Sequence, residues 1–396
     1  MKKIFFVLII FLIFSEEKRG NKQIRNDDLI KVDVKKTFAH QKELILQDFM
    51  DVEYIVLETK NDFLNQGVVL DIGNEFILIK NRINDGNIFL YNRQGKALKI
   101  LNRKGQGPEE YTNISKVILD EENKEIFIND YHIKKILVYD LNGKFKRGFR
   151  HQEGSTYNQI YNLDKDNLIC HDMYMQYITL ISKERSKSSL LIVSKSDGNV
   201  NMRINIPFKQ AKEPMILIFG SSNNIINHAD IPWEPIINFR DSWILVEPSA
   251  DTLYKYSPDH KMIPFIVRQP SIQSMNPEVF LFPFILTDQY YFLQIVKKEY
   301  NFEKRSGFPT INLMYDVKNN SIHECIVYNG DFSIKKKVNM GMRTFNNDDI
   351  VFIYRYESYE LIENLEKGQL SGKLKEIAET LNEEDNTVLM LVKNKE

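Results

Sequence analysis

Two segments of the chain are near copies: YNRQGKALKI, from Tyr91 to Ile100, and YDLNGKFKRG, from Tyr139 to Gly148. Each reads as a tyrosine ending an apolar strand, then a polar pair, glycine, lysine and a second apolar strand. Glycine between two strands supplies the positive φ that a tight hairpin turn requires. Gly95 and Gly143 stand 48 residues apart, and VSKSDGNVNMRI repeats the hairpin at Gly198. YSPDHKMIPFI at Asp259 and YDVKNNSIHECI at Asn319 continue the series. A period of roughly 50 to 60 residues, with about four short strands per unit, is that of a propeller blade. Such a unit cannot bury its own faces and must stack in a ring.

The rest of the chain fits this reading. Short apolar runs such as NEFILIKN, KEIFIND and DSWILVEP are separated by Asn, Asp, Gly and Pro, the pattern of strands joined by tight turns. The 25 Phe and 19 Tyr favour strands further. The expected fold is all-β, a six-bladed β-propeller with blade cores near 69–101, 117–149, 160–206, 236–267, 283–328 and 342–362. The sixth core is incomplete. Two unattached strands, DVEYIVLET at 51–59 and NTVLMLVKNK near 386–395, complete it and close the ring, because a ring must hide its first and last edges. One late helix is expected over 370–385, where Leu374, Ile377, Ala378 and Leu381 share a face. A second, short helix is expected near NPEVFLF. The organisation is thus a leader at 1–20, a lead-in at 21–50 and the propeller at 51–396.

The N-terminus carries a basic MKK and an apolar run from Ile4 to Phe14, followed by SEEKRGNK. Eleven apolar residues are too few for a transmembrane helix, which needs about 20, and the pattern is that of an export signal. A lipoprotein signal places Cys after the apolar run, and Ser15 stands there instead. The expectation is an exported protein of the periplasm or cell envelope, with membrane association only through this segment. The net charge of −1 and interspersed charges give no field for nucleic acid. Cys170 and Cys325 fall in the third and fifth blades, too far apart for a disulfide, so free thiols are expected.

The stretch from Ile100 to Phe149 (ILNRKGQGPEEYTNISKVILDEENKEIFINDYHIKKILVYDLNGKFKRGF) resembles the NHL-type propeller repeat. More closely, the chain resembles the six-bladed propeller family of Bacteroidetes envelope proteins, whose late helix precedes an EEDNPVL-like strand. Here that strand is NEEDNTVLMLV, with Thr387 in place of Pro. In this frame KGQGPEEY, from Lys104 to Tyr111, is a corner between blades. It lacks the third glycine and following helix of a dinucleotide site and the G-K-[ST] of a P-loop. The competing reading puts Glu109, Glu110 and Tyr111 at a mouth of the central channel.

Two functions compete. The favoured one is a non-catalytic binding or scaffolding module for a peptide, glycan or protein partner, with no cofactor. Its candidate ligand residues are Arg82, Glu110, Tyr111, Trp233, Arg240, Arg343, Tyr354 and Arg355, since arginine beside an aromatic suits carboxylate or sugar recognition. The alternative is a metal-assisted lyase or hydrolase in the central channel, holding zinc or calcium through His132, His171 and His228. Propeller lyases and lactonases, by resemblance, gather such ligands from several blades. No H-E-x-x-H, C-x-x-C or G-x-S-x-G occurs, and Asp130 in IFIND reads as a residue that bonds turn amides.

Overall fold

Each repeated glycine turn closes a hairpin whose strands are buried on both faces. The computed structural model describes residues 29–38, 41–173, 189–221, 224–340, 345, 347 and 350–395; the leader 1–20 lies outside them. Four antiparallel strands make blade I (68–102), blade II (116–150), blade III (157–204) and blade IV (236–269). Blade V is built from Val279–Leu286, Tyr290–Lys297, Thr310–Asp316 and Ser321–Tyr328. Blade VI joins Ile350–Tyr356, Val388–Asn394 and Met50–Val56 in that order. The result is the six-bladed ring expected, closed by strands from both ends of the chain.

The blades are held face to face by apolar side chains. Leu78, Leu90 and Leu101 of blade I pack on Val117, Ile126 and Leu137 of blade II. Ile118, Phe127 and Val138 pack in turn on Ile160, Leu168 and Leu191 of blade III. At about 25 cal/mol per Å² of buried apolar surface these inter-blade layers dominate stability. Cys170 belongs to the layer between blades II and III and Cys325 to that of blades IV to VI; both thiols are buried and free.

The lead-in at 21–50, whose sequence shows no strand pattern, contributes two. Ile30–Asp33 adds in parallel to the outer edge of blade IV, and Gln41–Ile45 to that of blade V. Short, charged sequences such as IKVD and QKELI carry little pattern of their own, and the exposed edges they cover supply the partner. The segment then enters blade VI as its outermost strand, so one stretch of chain covers three consecutive edges.

The helices differ from expectation. The late helix is Gly372–Ala378, not 370–385. It ends in a tighter turn, with the Thr380 N–H on the Ile377 carbonyl and the Leu381 N–H on that of Ala378, and Asn382 then donates its backbone N–H to Asp385 Oδ2 at 2.7 Å in a separate turn. A helix at Ser358–Glu366 occupies the end of the region read as blade-six core. It buries Leu361, and Gly368 at φ 65° ends it. NPEVFLF begins no helix: Val279–Leu286 is the innermost strand of blade V, buried along its whole length. Its free inner edge tolerates Pro283.

One feature stands off the ring. Met215–Phe219 and Ile225–Asp230 form a separate two-stranded sheet between blades III and IV. It exposes Phe219, Ile225 and Ile226.

The repeated turn glycines have a second role. Gly95, Gly143 and Gly198 have φ of 81°, 77° and 78°, and each abuts the outer strand of the preceding blade. A Cβ on Gly143 would lie 2.9 Å from a Leu101 methyl carbon, which can move. On Gly95 it would collide with the Val56 carbonyl oxygen, which cannot move without shifting the closing strand. Gly143→Ala should therefore cost roughly 1–2 kcal/mol from backbone strain. Gly95→Ala should cost more than about 3 kcal/mol, the upper range for single substitutions. Urea denaturation of the two variants checks this; equal losses would contradict the role given to Val56.

Candidate functional site at one end of the ring axis

The first strands of blades I, II and III lie against one another, as do those of blades IV and V. They line the axis, so the turns that follow them gather at one end of it. There they enclose a funnel of about 630 Å³. Blade I contributes Asn74, blade II Glu121 and Glu122, blade III Asn162, and blade IV Asn238 to Trp243. Asn347, just before the first described strand of blade VI, completes the wall. Its place here shows that Ile350–Tyr356 runs opposite to the first strands. The three described strands of blade VI thus occupy the second, third and outermost places.

Most charges at the funnel are already engaged. Glu121 accepts backbone N–H groups of Asn74 at 2.7 Å, Glu75 at 2.9 Å and Phe76 at 3.0 Å, tying the turn of blade I to that of blade II. Asp120, 1% exposed in its side chain, pairs with Lys195 of blade III at 2.5 Å. Removing one partner of a pair so buried leaves an uncompensated charge, at a cost of about 3–5 kcal/mol. Arg240 reaches Asp288 of blade V at 2.5 Å. Glu122 stands 3.6 Å from Lys165 in an exposed pair, which has little strength. Asp241 accepts only a 3.3 Å bond from Ser242 Oγ. Asn162 Oδ1 and Trp243 Nε1 are buried without a hydrogen-bond partner among the described residues.

Of the residues singled out in the sequence, only Arg240 lies at this funnel. Arg82, Glu110, Tyr111, Trp233 and Arg355 belong to the loops and strand ends of the opposite face, and Arg343 lies outside the described residues. Arg82 pairs with Glu357 at 2.8 Å; Arg355 lies 4.0 Å from the same carboxylate and donates to the Gln66 carbonyl. These contacts clamp blade VI to blade I. Tyr354 packs on Tyr356 with centroids 4.8 Å apart. Trp233 meets His171 edge-on at 5.5 Å and stacks on Phe282 at 6.0 Å.

KGQGPEEY is a folded corner. Gly105 donates to the Tyr111 carbonyl, Tyr111 to the Arg103 carbonyl, and Gly107 to Glu110 Oε2 at 2.8 Å. Gly105 leaves the space that the Glu110 carboxylate fills. Tyr111 is 1% exposed, and its hydroxyl donates to the Gly86 carbonyl at 2.7 Å. Burial pushes its pKa up to about 12.

The histidines occupy separate places. His132 packs at a tilt against Tyr131 in the turn after Glu125–Asp130, His171 bonds Asn158 at 2.8 Å, and His228 is on the protruding hairpin. Among the described residues no three His, Cys, Asp or Glu side chains are grouped to hold a metal. Asp130 acts on turn amides, accepting from the Thr112 and Asn113 backbones and the Thr112 hydroxyl at 2.7–2.9 Å.

The funnel residues missed in the sequence did leave a signal. At corresponding places the chain reads IGNE, LDEEN, NLDKDN and NFRDSW, an Asn- and acid-rich turn after the first strand of blades I to IV, and Asn347 stands in the similar sequence FNNDD. Only the three-dimensional ring brings these turns together.

The chain matches, over residues 29–393, the family described as a domain of unknown function, DUF4934. It is a member of the DUF4934 family. No curated protein sequence matches it. A Bacteroides fragilis protein named as exported by inference superimposes with a TM-score of 0.59 at 17% identity, covering 93% of this chain and 99% of its own. A DUF4221 family member from Bacteroides vulgatus gives 0.47 at 9% identity, covering 88% of this chain and 100% of its own. A streptogramin B lyase gives 0.33 at 11%, covering 74% and 97%. The first likeness supports the propeller fold; the other two scores carry no argument. No helix among the described residues is long and apolar enough to cross a membrane.

His151 offers a test of the linker between blades II and III in this DUF4934 ring. It is 6% exposed. Tyr157 donates its backbone N–H to Nδ1 at 3.1 Å, so Nε2 carries the proton and donates to Asn129 Oδ1 at 2.9 Å. Burial lowers its pKa to about 3. The unfolded chain takes up a proton near pH 6.5 while the folded one does not. Stability is therefore complete above pH 6.5 and falls toward pH 3, by up to about 1.4 kcal/mol per pH unit. His151→Gln should remove one proton's worth of this slope between pH 6 and 4, read by urea titrations; an unchanged slope would contradict the assignment.

Proposed function

We propose that this protein is an exported, non-catalytic binding or scaffolding module of the cell envelope for a peptide, glycan or protein partner, working through the axial funnel. One observation carries the reading. Turns from five blades enclose an open cavity of about 630 Å³, within the usual range of ligand sites. Three of its ionised groups are held by fixed partners: three amides on Glu121, Lys195 on Asp120, Asp288 on Arg240. Such a wall presents fixed hydrogen-bonding geometry and suits recognition more than proton transfer. Export is supported by the run from Ile4 to Phe14 and by the name of the Bacteroides fragilis neighbour. Ser15 argues against a thioether-linked lipid anchor.

Panels of short peptides and oligosaccharides, tested by surface plasmon resonance on the full chain, check the proposal. At least one ligand should bind reversibly and be recovered unchanged by mass spectrometry after prolonged incubation. Trp243→Ala should abolish binding, and Arg82→Ala on the opposite face should leave it intact. Conversion of the ligand, or binding indifferent to Trp243→Ala, would contradict the proposal.

A further inference from the structure

We infer that the funnel takes the end of a neutral oligosaccharide; this rests on the binding-module reading above. Four asparagines, Asn74, Asn162, Asn238 and Asn347, stand around one cavity with the half-buried Trp243; two of them already meet, Asn347 Nδ2 donating to Asn74 Oδ1 at 3.4 Å while Asn347 Oδ1 accepts the Ile350 N–H at 3.1 Å. An asparagine amide offers a donor and an acceptor side by side, and a hydroxyl is both donor and acceptor. Neighbouring hydroxyls on a sugar ring therefore match an asparagine-lined wall better than a group of fixed polarity. Trp243 adds apolar surface for ring C–H groups, with an N–H at its edge.

The unsatisfied atoms point the same way. Asn162 Oδ1 and Trp243 Nε1 have no hydrogen-bond partner among the described residues. A buried polar atom left so destabilises the fold until it finds a partner. A small rotation that hands either atom to a ligand loses no internal bond, and hydroxyls satisfy the acceptor and the donor alike.

Charge narrows the class. Glu121, Glu122 and Asp241 leave the wall negative, while its arginine, Arg240, is neutralised by Asp288. A sulfated, phosphorylated or uronic glycan would bring its own negative charge against these carboxylates. An apolar peptide would find little to bury, since beyond Trp243 the wall has only Leu119, Leu163 and Pro258 as apolar contributors.

The test is an array of neutral oligosaccharides, their sulfated counterparts and a lysine-rich peptide, read with the full chain and followed by calorimetry. A neutral oligosaccharide should bind, and its sulfated form should bind at least tenfold more weakly. Asn162→Ala should weaken binding at least tenfold. Trp243→Phe, which keeps the ring packing and deletes the N–H, should weaken it severalfold. Both variants should melt within a few degrees of the parent, separating lost recognition from lost folding. Neutral glycan binding insensitive to both variants would overturn the inference. Binding of the lysine-rich peptide with no neutral glycan would also overturn it but leave the binding-module reading in place. Binding of none of the three classes would remove both.

Discussion

The pairing of Met50–Val56 with Val388–Asn394 is the contact on which the ring depends. Each residue of the first strand faces a partner in the second, from Met50 opposite Asn394 to Val56 opposite Val388. The C-terminal strand lies between two others and buries Val388, Leu389, Met390, Leu391 and Val392 completely. At roughly 2 kcal/mol per buried aliphatic side chain, these five contribute about as much as the net stability of a typical domain. Every other blade is contiguous in sequence apart from the added edge strands. Blade VI alone is assembled from distant segments, so the ring closes only when both of its closing strands are in place.

The same constraint explains how the site is built. A closed ring forces the first strands toward the axis and their turns to one end of it. Asn74, Glu121, Asn162, Arg240 and Asn347 are dispersed over more than half the chain and meet only there. Cross-blade bonds fix their positions: Glu121 on three amides of blade I, Asp71 on the Leu119 N–H at 2.7 Å, and Lys195 on Asp120. The funnel is as rigid as the blade contacts below it, which favours recognition by pre-set geometry.

Much of the fold could be read from local pattern, because a propeller repeats its turns. The glycines at 95, 143 and 198 marked three blades, and the orphan strands at both ends implied closure. What escaped was whatever lacks a pattern of its own. IKVD and QKELI become strands because edges of blades IV and V await them. The buried strand VFLFPFIL reads equally as helix or strand, since neither face is polar. The helix at Ser358–Glu366 had a signal, Leu361 and Leu365 four apart before Lys367 and Gly368, hidden by the strand-like YRYES before it. Most of the arginine–aromatic sequences fall on the opposite face, where Arg82 and Arg355 are clamps on Glu357. The funnel's asparagines look like ordinary turn residues until the ring places them together.

Closure by the terminal strands is tested most directly by native-state hydrogen exchange of the intact protein, resolved to peptides. If the ring stands or falls with blade VI, amides of Met50–Val56 and Val388–Asn394 exchange only through global unfolding, as slowly as those of the blade II core strand Glu125–Asp130. Exchange of the terminal strands well before that core, at a free energy several kcal/mol lower, would show that the ring persists with blade VI open and would contradict the account.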